Sequence, residues 1–319
     1  MAVDVSVIVP NFNGVAVLPT CLESLARQSL TPDEILVIDG ASTDGSPEWV
    51  ARAFPQVQII QLQHNSGFGI AVNEGIRQST REFITLLNND VEVHPYWVEE
   101  LRKSMDAHTE IGFCASKMLD FYDRTCIDSA GIEFTTYGVG YPRGHREQDV
   151  GQYDALQEVF GACGGAAMYR RAMFDSIGLF DEDFYAYYED VDLSFRAQLS
   201  GYQCLYVPSA IVYHRGGETM MKKTPHFGIH LTTRNLWFTV LKNMPLVLLV
   251  KYMPKLSYTF VRGFAAWALK GHSAAYLMGL LSVAMGAHRM FKKRVDIQAS
   301  RKISIADLER LIVNRFPSD

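Results

Sequence analysis

Five cysteines in 319 residues, Cys21, Cys114, Cys126, Cys163 and Cys204, are odd in number, widely scattered and never arranged as CxxC. This excludes a disulfide framework or a zinc site and predicts reduced thiols in a cytoplasmic protein. No GxGxxG follows the first apolar run, and no GxxxxGK[ST] occurs. The backbone cradles that hold pyrophosphate in dinucleotide-binding and P-loop proteins are therefore missing. That absence removes an oxidoreductase on a dinucleotide fold. A sugar-nucleotide synthesising enzyme fails for want of a Gly-rich, basic loop after the first strand. There is no low-complexity tract and no internal repeat. The opening "MAVDVSVIVPNF" has no basic stretch followed by an apolar one, so no signal peptide is predicted.

Acid is nearly absent from one region. Between Lys242 and Lys302 stand 11 Lys or Arg against a single acid, Asp296, so a segment near +10 is joined to a body near −15 within a net charge of −5. Such a split points to an anionic surface as partner of the C-terminal part. The rest is of ordinary globular composition, 48% hydrophobic and 20% charged, and long enough to bury a large core.

The first hundred residues alternate strand and helix signals. Val3–Val9, Glu34–Ile38, Val57–Leu62 and Phe83–Leu87 read as strands. Helices are expected through Leu18–Leu25, from Ser46 as cap with Pro47 in the first turn, over Gly69–Arg77 and over Pro95–Ala107. This pattern implies a mainly parallel sheet with helices on both faces. From about Leu119 to Glu158 the periodicity weakens, as expected of an excursion covering the site. A strand and short helix, a helix over Asp190–Ser200 and a strand pair in "CLYVPSAIVYH" follow. After Gly216 the chain turns helical, basic and rich in Met and aromatics.

Ligands of such sheets bind at the carboxyl ends of the strands, where Asn11, Asp39, His64–Gly67 and Asp90 fall. Asp39 suits a hydrogen bond from a base or ribose, and equally turn chemistry. In "LLNND" a core strand ends on Asp90 behind Asn88 and Asn89. A turn is one reading. The other is a hard divalent cation, which takes oxygen ligands and substrate phosphates, and without which Asp39, Asp44 and Asp90 would repel a diphosphate. "FDEDFYAYYEDVDLSFR" packs six carboxylates among aromatics. Asp192 and Arg196 form a structural i,i+4 pair. Asp190 either caps a helix or serves as general base beside an aromatic sugar platform. His214 ends a strand before Arg215 and two glycines; a neutral imidazole suits a metal and Arg215 a phosphate.

Together "VSVIVPNFNG", "EILVIDGASTDGS", "NSGFGIAVNEGI", "FITLLNNDVEV", "GGAAMYRRAMFDSIGLFDEDFYAYYEDVDLSFRAQLSGY" and "VYHRGG" resemble, in this order, the family 2 glycosyltransferases of the GT-A fold. The likeness is greatest to the bacterial rhamnosyltransferase-like branch, and it spans about Val3–Gly217. It implies an α/β, Rossmann-like mixed sheet flanked by helices, with a helical basic C-terminal extension after residue 217. It further implies a nucleotide-binding half to about residue 118 and an acceptor or catalytic half beyond.

The activity implied is inverting transfer of a sugar, rhamnose in that branch, from a dTDP-, UDP- or GDP-linked donor to an acceptor hydroxyl, in cell-surface polysaccharide or glycolipid assembly. The same resemblance assigns the donor to Pro10, Asn11, Asn13, Asp39, Ser42, Asp44, Gly67, Asn73, Asn88, Asn89 and Arg215, and the acceptor to Gly164, Gly165 and Tyr188. Asp190, with Glu189, stands at the catalytic base. Mg2+ or Mn2+ falls to Asp90 and His214. One departure matters: the first aspartate of the family's DxD is Asn88 here. A nucleotide-sugar or glycan-binding protein without turnover is the alternative reading.

Between Lys270 and Arg289 run 18 residues without Lys, Arg, Asp or Glu, though two are His and three Gly. A spanning helix needs about 20 predominantly apolar residues. An interfacial arrangement against an anionic inner membrane leaflet is therefore favoured over a helical subdomain, a homo-oligomer contact or a true span. It would suit a glycan or lipid-linked acceptor. No nucleic-acid partner is expected.

Overall fold

The computed structural model describes residues 3–216 and 225–316; Gly217, where the domain boundary is expected, lies outside them. Strands β1 (Val5–Asn11), β2 (Glu34–Asp39), β3 (Gln58–Gln61) and β4 (Phe83–Leu87) alternate with helices α1 (Leu18–Ala26), α2 (Ser46–Ala53) and α3 (Phe68–Gln78). These strands pair in parallel in the order β4-β1-β2-β3. Both faces are covered: Val5, Val7 and Val9 of β1 pack into one helix layer, and Ile8 into the other.

After β5 (Val91–Val93), helix α4 (Trp97–Ala107) leads to β6 (Ile111–Asp120). The excursion carries four short strands, β7 (Ile127–Ser129), β8 (Ile132–Thr135), β9 (Gly140–Pro142) and β10 (Gln157–Val159). Strand β11 (Ala166–Arg170) then inserts between β4 and β6, antiparallel to both, and makes the sheet mixed. It is followed by α5 (Arg171–Ile177), α6 (Glu189–Leu199) and β12 (Gln203–His214). The main path runs β10-β12-β6-β11-β4-β1-β2-β3.

Three local expectations are corrected. "CLYVPSAIVYH" is one strand, not a pair: its ladder to β6 slips between Val207 and Ile211, around Pro208, which has no N–H to donate, and then resumes. Ser46 is not a cap but the first residue of α2; Asp44 accepts from its backbone N at 3.0 Å and its hydroxyl at 2.6 Å. Helix α4 begins at Trp97 rather than Pro95.

Helices α7 (Pro225–Asn243), α8 (Leu246–Lys251), α9 (Met253–Leu269), α10 (Ser273–Ala299) and α11 (Ile305–Leu311) complete the chain with β13 (Ile312–Val313). Strand β13 pairs in parallel with β8, which pairs antiparallel with β9. The C-terminal helices are thereby fastened to the excursion. Helix α10 lies close along α7 through Gly279 and Gly286, where a Cβ would fall 2.8 Å from Thr233 Cβ and 2.4 Å from the Phe238 ring.

Candidate active site

The carboxyl ends of β1, β2 and β4 meet on one rim. Asn11 is its hub: its amide donates to Asp39 Oδ1 at 2.9 Å and Ser46 Oγ at 3.0 Å, and its Oδ1 accepts from Asn89 Nδ2 at 2.8 Å. Ser42 bonds Asp39 through its backbone N at 2.9 Å and its hydroxyl at 2.6 Å, and its Oγ accepts from Asn13 N at 2.8 Å. Asp44 Oδ2 accepts from Val15 N at 2.8 Å. Asp39 is fully buried, so its oxygens shape the βα loops rather than reach outward. Pro10, half-buried and opposite Ile38, lies within the strand, which runs on through Asn11 opposite Asp39.

At the end of β4, Asp90 is nearly buried, and its Oδ1 lies 3.3 Å from His214 Nε2 at the end of β12. His214 Nδ1 donates to Asp128 Oδ2 at 2.8 Å. Burial disfavours charge on this imidazole, but Asp128 and Asp90 outweigh it, and His214 is pushed up to about 10. Burial also opposes ionisation of Asp128, yet hydrogen bonds from His145 and His214 hold its carboxyl well below the usual range. Arg215 donates its backbone N to Asp90 O at 3.0 Å and Nη2 to Thr20 Oγ1 at 3.1 Å, and its guanidinium sits 4.0 Å from the Phe121 ring centroid.

Two glycines connect this acid to the second one. Gly165 O accepts from Asn88 N at 2.8 Å, while Gly164 N donates to Asp190 Oδ2 at 3.0 Å. Asp190, half-buried in the first turn of α6, also accepts from Val191 N at 2.8 Å. Burial raises its carboxyl above the ordinary range against these donors. Glu189 beside it is more enclosed: burial, then the charge of Asp190, push it up to about 8, and its Oε2 has no hydrogen-bond partner. Of the two carboxyls, Glu189 is the one held more strongly in its neutral form, by burial and by the neighbouring Asp190.

The segment delivering Asp190 is strained. Tyr185, Tyr187 and Tyr188 sit at φ 63°, 67° and 68°, a left-handed region that bulky side chains avoid. Asn235 of α7, fully buried, holds the loop by donating to the carbonyls of Phe184 at 2.9 Å, Ala186 at 2.8 Å and Tyr187 at 2.7 Å. Arg234 Nη2 adds bonds to the carbonyls of Asp183 and Phe184, both 2.9 Å. From the donor side, Phe68 N donates to Tyr185 O at 2.7 Å. Gly67, at φ +91°, is required there because a Cβ would lie 2.4 Å from that carbonyl.

A fitted family model, described as glycosyl transferase family 2, matches residues 6–178, more than half of the chain. The chain belongs to glycosyl transferase family 2. An N-acetylglucosaminyl-diphospho-decaprenol L-rhamnosyltransferase of Mycobacterium tuberculosis is 26% identical over 234 residues, covering 66% of this chain and 75% of its own. Among solved structures, S. aureus TarS 1–349 in complex with UDP-GlcNAc has a TM-score of 0.60 at 18% identity, over 92% of this chain and 89% of that one. The mannosyltransferase PcManGT from Pyrobaculum calidifontis, in complex with GDP-Man and Mn2+, has a TM-score of 0.55 at 16% identity, over 93% and 85%. These solved structures share the fold, which is GT-A. The family match ends at residue 178, short of Asp190 and His214, so the roles of those two rest on their chemistry.

Two residues expected at the glycosyltransferase's ligands lie elsewhere. Asn73 is buried on α3, exchanging hydrogen bonds of 2.9 Å with the backbone N and O of Phe180. The Tyr188 ring packs into the core between α6 and the C-terminal helices. Asp192 is structural, as expected: fully buried, 3.0 Å from Arg196 and 2.7 Å from Lys242. Sequence reasoning missed Asp128 and Asn235. Asp128 lies in the irregular excursion, and the interior helical position of Asn235 carries no motif. Helix α7 is of mixed polarity, so Asn235 does not stand out in its sequence.

Among the described residues no three His, Cys, Asp or Glu side chains converge as a metal cage. Asp90 and His214 nevertheless suit a divalent cation. Nε2 of His214 is buried and faces Asp90 Oδ1 at 3.3 Å, where a cation would take the place of the imidazole's proton, while Asp128 fixes the other ring nitrogen. One carboxylate and one imidazole leave the remaining coordination to substrate oxygens, the habit of Mg2+ and Mn2+.

Proposed function

We propose that this glycosyltransferase inverts the anomeric centre of a nucleotide-diphosphate sugar in one displacement, with Asp190 as the base. As Asp190 takes the proton of the acceptor hydroxyl, its oxygen bonds to the anomeric carbon, and the glycosyl–oxygen bond to the diphosphate breaks, the electron pair leaving with the nucleotide. A carboxyl whose proton affinity burial raises above the ordinary range, with two backbone N–H donors on its oxygens, suits that task. Asp90 and His214 would hold the cation, which when bound neutralises charge on the departing diphosphate. Arg215, its Nε buried without a partner, adds a second positive group on that side.

The observation that carries this reading is the Gly164–Gly165 bridge, which hydrogen-bonds Asn88, two residues before Asp90, through one glycine and Asp190 through the other, and so ties together two acids a hundred residues apart. Asn11, Asn13, Ser42 and Asn89 would frame the base and ribose, and Gly164 and Gly165 the acceptor side. The mycobacterial relative, by its name, transfers L-rhamnose to a lipid diphosphate-linked sugar. That supports rhamnose as the sugar and a lipid-linked acceptor at the inner face of a membrane, in cell-surface polysaccharide assembly. A thermal-shift panel of dTDP-, UDP- and GDP-sugars with and without Mn2+ tests the reading. A metal-dependent rise with at least one donor is expected; none with any donor rejects it.

A further inference from the structure

Three features besides the proposed base and donor rim are unlike in kind. A cavity of about 680 Å³ between α3, Ile177–Asp183 and α10 is lined by ion pairs that satisfy one another, among them Lys293–Asp183 at 2.8 Å. The His145–Asp128–His214 relay belongs to the site already described. The third is the surface of the α9–α10 hairpin.

Of the 22 large apolar side chains most exposed among the described residues, 15 lie between Leu246 and Val295, so the exposure belongs to one region and not to the surface at large. Val261 and Phe264 on α9 are 64% and 39% exposed, and Leu269, at its end, is 90% exposed. On α10, Leu277, Leu281 and Met285 recur every four residues at 50%, 60% and 62%, on the stripe turned away from Gly279 and Gly286, which face α7. The two helices are held as a hairpin by Tyr276, whose hydroxyl donates to Phe260 O at 2.9 Å. No described helix is long and apolar enough to cross a bilayer.

Charge selects the occupant. Lys251 and Lys293 are engaged by Glu309 and Asp181, and Arg289 by Asp183. Lys270 at the hairpin tip and Lys292 on α10 stay exposed among the apolar side chains, with Asp296 the only acid from Lys242 to Lys302. A second copy of the same face would oppose positive to positive. Anionic lipid headgroups over an apolar layer match both features.

The tip is also linked to the loop that delivers Asp190. The ring of His272 lies 4.8 Å from that of His226 at the start of α7, and the ring of the next residue, Phe227, lies 5.9 Å from that of Tyr185, in the strained loop before Asp190. We propose that the α9–α10 hairpin lies on an anionic membrane surface, inserting its apolar stripe between headgroups and holding the acceptor side of the site at the bilayer. This rests on the reading of a lipid-linked acceptor, but its test does not depend on turnover.

The test is co-sedimentation of the full chain with vesicles of phosphatidylglycerol and phosphatidylcholine, and of phosphatidylcholine alone. The wild type should pellet with the anionic vesicles, less so as salt rises, and little with the neutral ones. Leu277→Asp with Leu281→Asp should weaken partitioning about tenfold, and Lys270→Glu with Lys292→Glu several-fold. Circular dichroism and the Mn2+-dependent donor thermal shift should stay as in the wild type. Failure of the wild type to pellet overturns the inference whatever the variants do. So does a dimer in light scattering that the Asp variants convert to monomer, since a second copy would then own the face. Loss of the donor shift with pelleting intact would instead count against the transferase reading alone.

Discussion

Replacing Asn235 by Ala removes the amide that secures the loop before Asp190, and its effect can be worked from the geometry. The two N–H groups of that side chain serve three carbonyls, the buried one of Phe184, which Arg234 also serves, and the part-buried ones of Ala186 and Tyr187, which would lose this donor. A buried carbonyl deprived of its donor costs about 1–3 kcal/mol, so two lost bonds amount to about 2–6 kcal/mol. The loop meanwhile holds three tyrosines left-handed, each at about 1–2 kcal/mol, strain it can release by relaxing. Relaxation is therefore favoured once the clamp is gone, and it would draw Asp190 away from Gly164 N. A misplacement of the base raising the barrier by about 2.7 kcal/mol lowers kcat about a hundredfold. Donor loops 11–15 and 40–46 make their hydrogen bonds to one another, so nucleoside diphosphate affinity in Mn2+, read by calorimetry, should be kept. Asn235→Asp, of the same shape but without donors, should fail in the same way. A folded Asn235→Ala protein with wild-type kcat would refute the clamp.

Four further outcomes are expected. Asp190→Asn should lower transfer about 10²- to 10⁴-fold while sparing donor binding; equal turnover would dismiss it as base. Asp90→Ala should abolish the Mn2+-dependent part of nucleoside diphosphate affinity by calorimetry, and unaltered affinity would free the cation of this residue. Glu189 holds its proton to about pH 8 in the folded state against 4.5 unfolded, so the fold loses stability as pH rises through that window. In melting experiments the Tm advantage of Glu189→Gln over the wild type should accordingly grow from pH 5 to pH 8, and a constant difference would contradict the assignment. Lys242→Met strips Asp192 of one buried partner and should destabilise the fold by about 3–5 kcal/mol in urea unfolding, with a near-neutral result refuting its role.

The parallel half of the sheet was legible because its signals are local. Valine and isoleucine runs, turn residues and helix periodicity sit within a dozen residues of one another, and β4 was predicted to its exact ends at Phe83 and Leu87. The same holds for the rim: a strand end fixes where the next residue lies, so Asn11, Asp39 and Asp90 were expected on one rim, where Asn11 bonds Asp39 and also Asn89, the residue before Asp90. Strand β11 was seen as a strand, but its antiparallel insertion was not, because pairing direction depends on how a distant segment returns.

By itself the sequence determined the strands of the parallel half of the sheet, which acids follow their ends, and that the C-terminal part is basic with a broad apolar component. Only the tertiary structure decided that Asp128 orients His214 across 86 residues, that Asn235 restrains a loop 48 or more positions away, and that Asn73 serves Phe180 instead of the rim. The reason is physical. Hydrophobic periodicity is written along the chain, whereas a side chain's hydrogen-bond partner is set by the packing of elements that meet only after folding. Backbone strain such as that of Tyr185, Tyr187 and Tyr188 exists only because those distant contacts hold it.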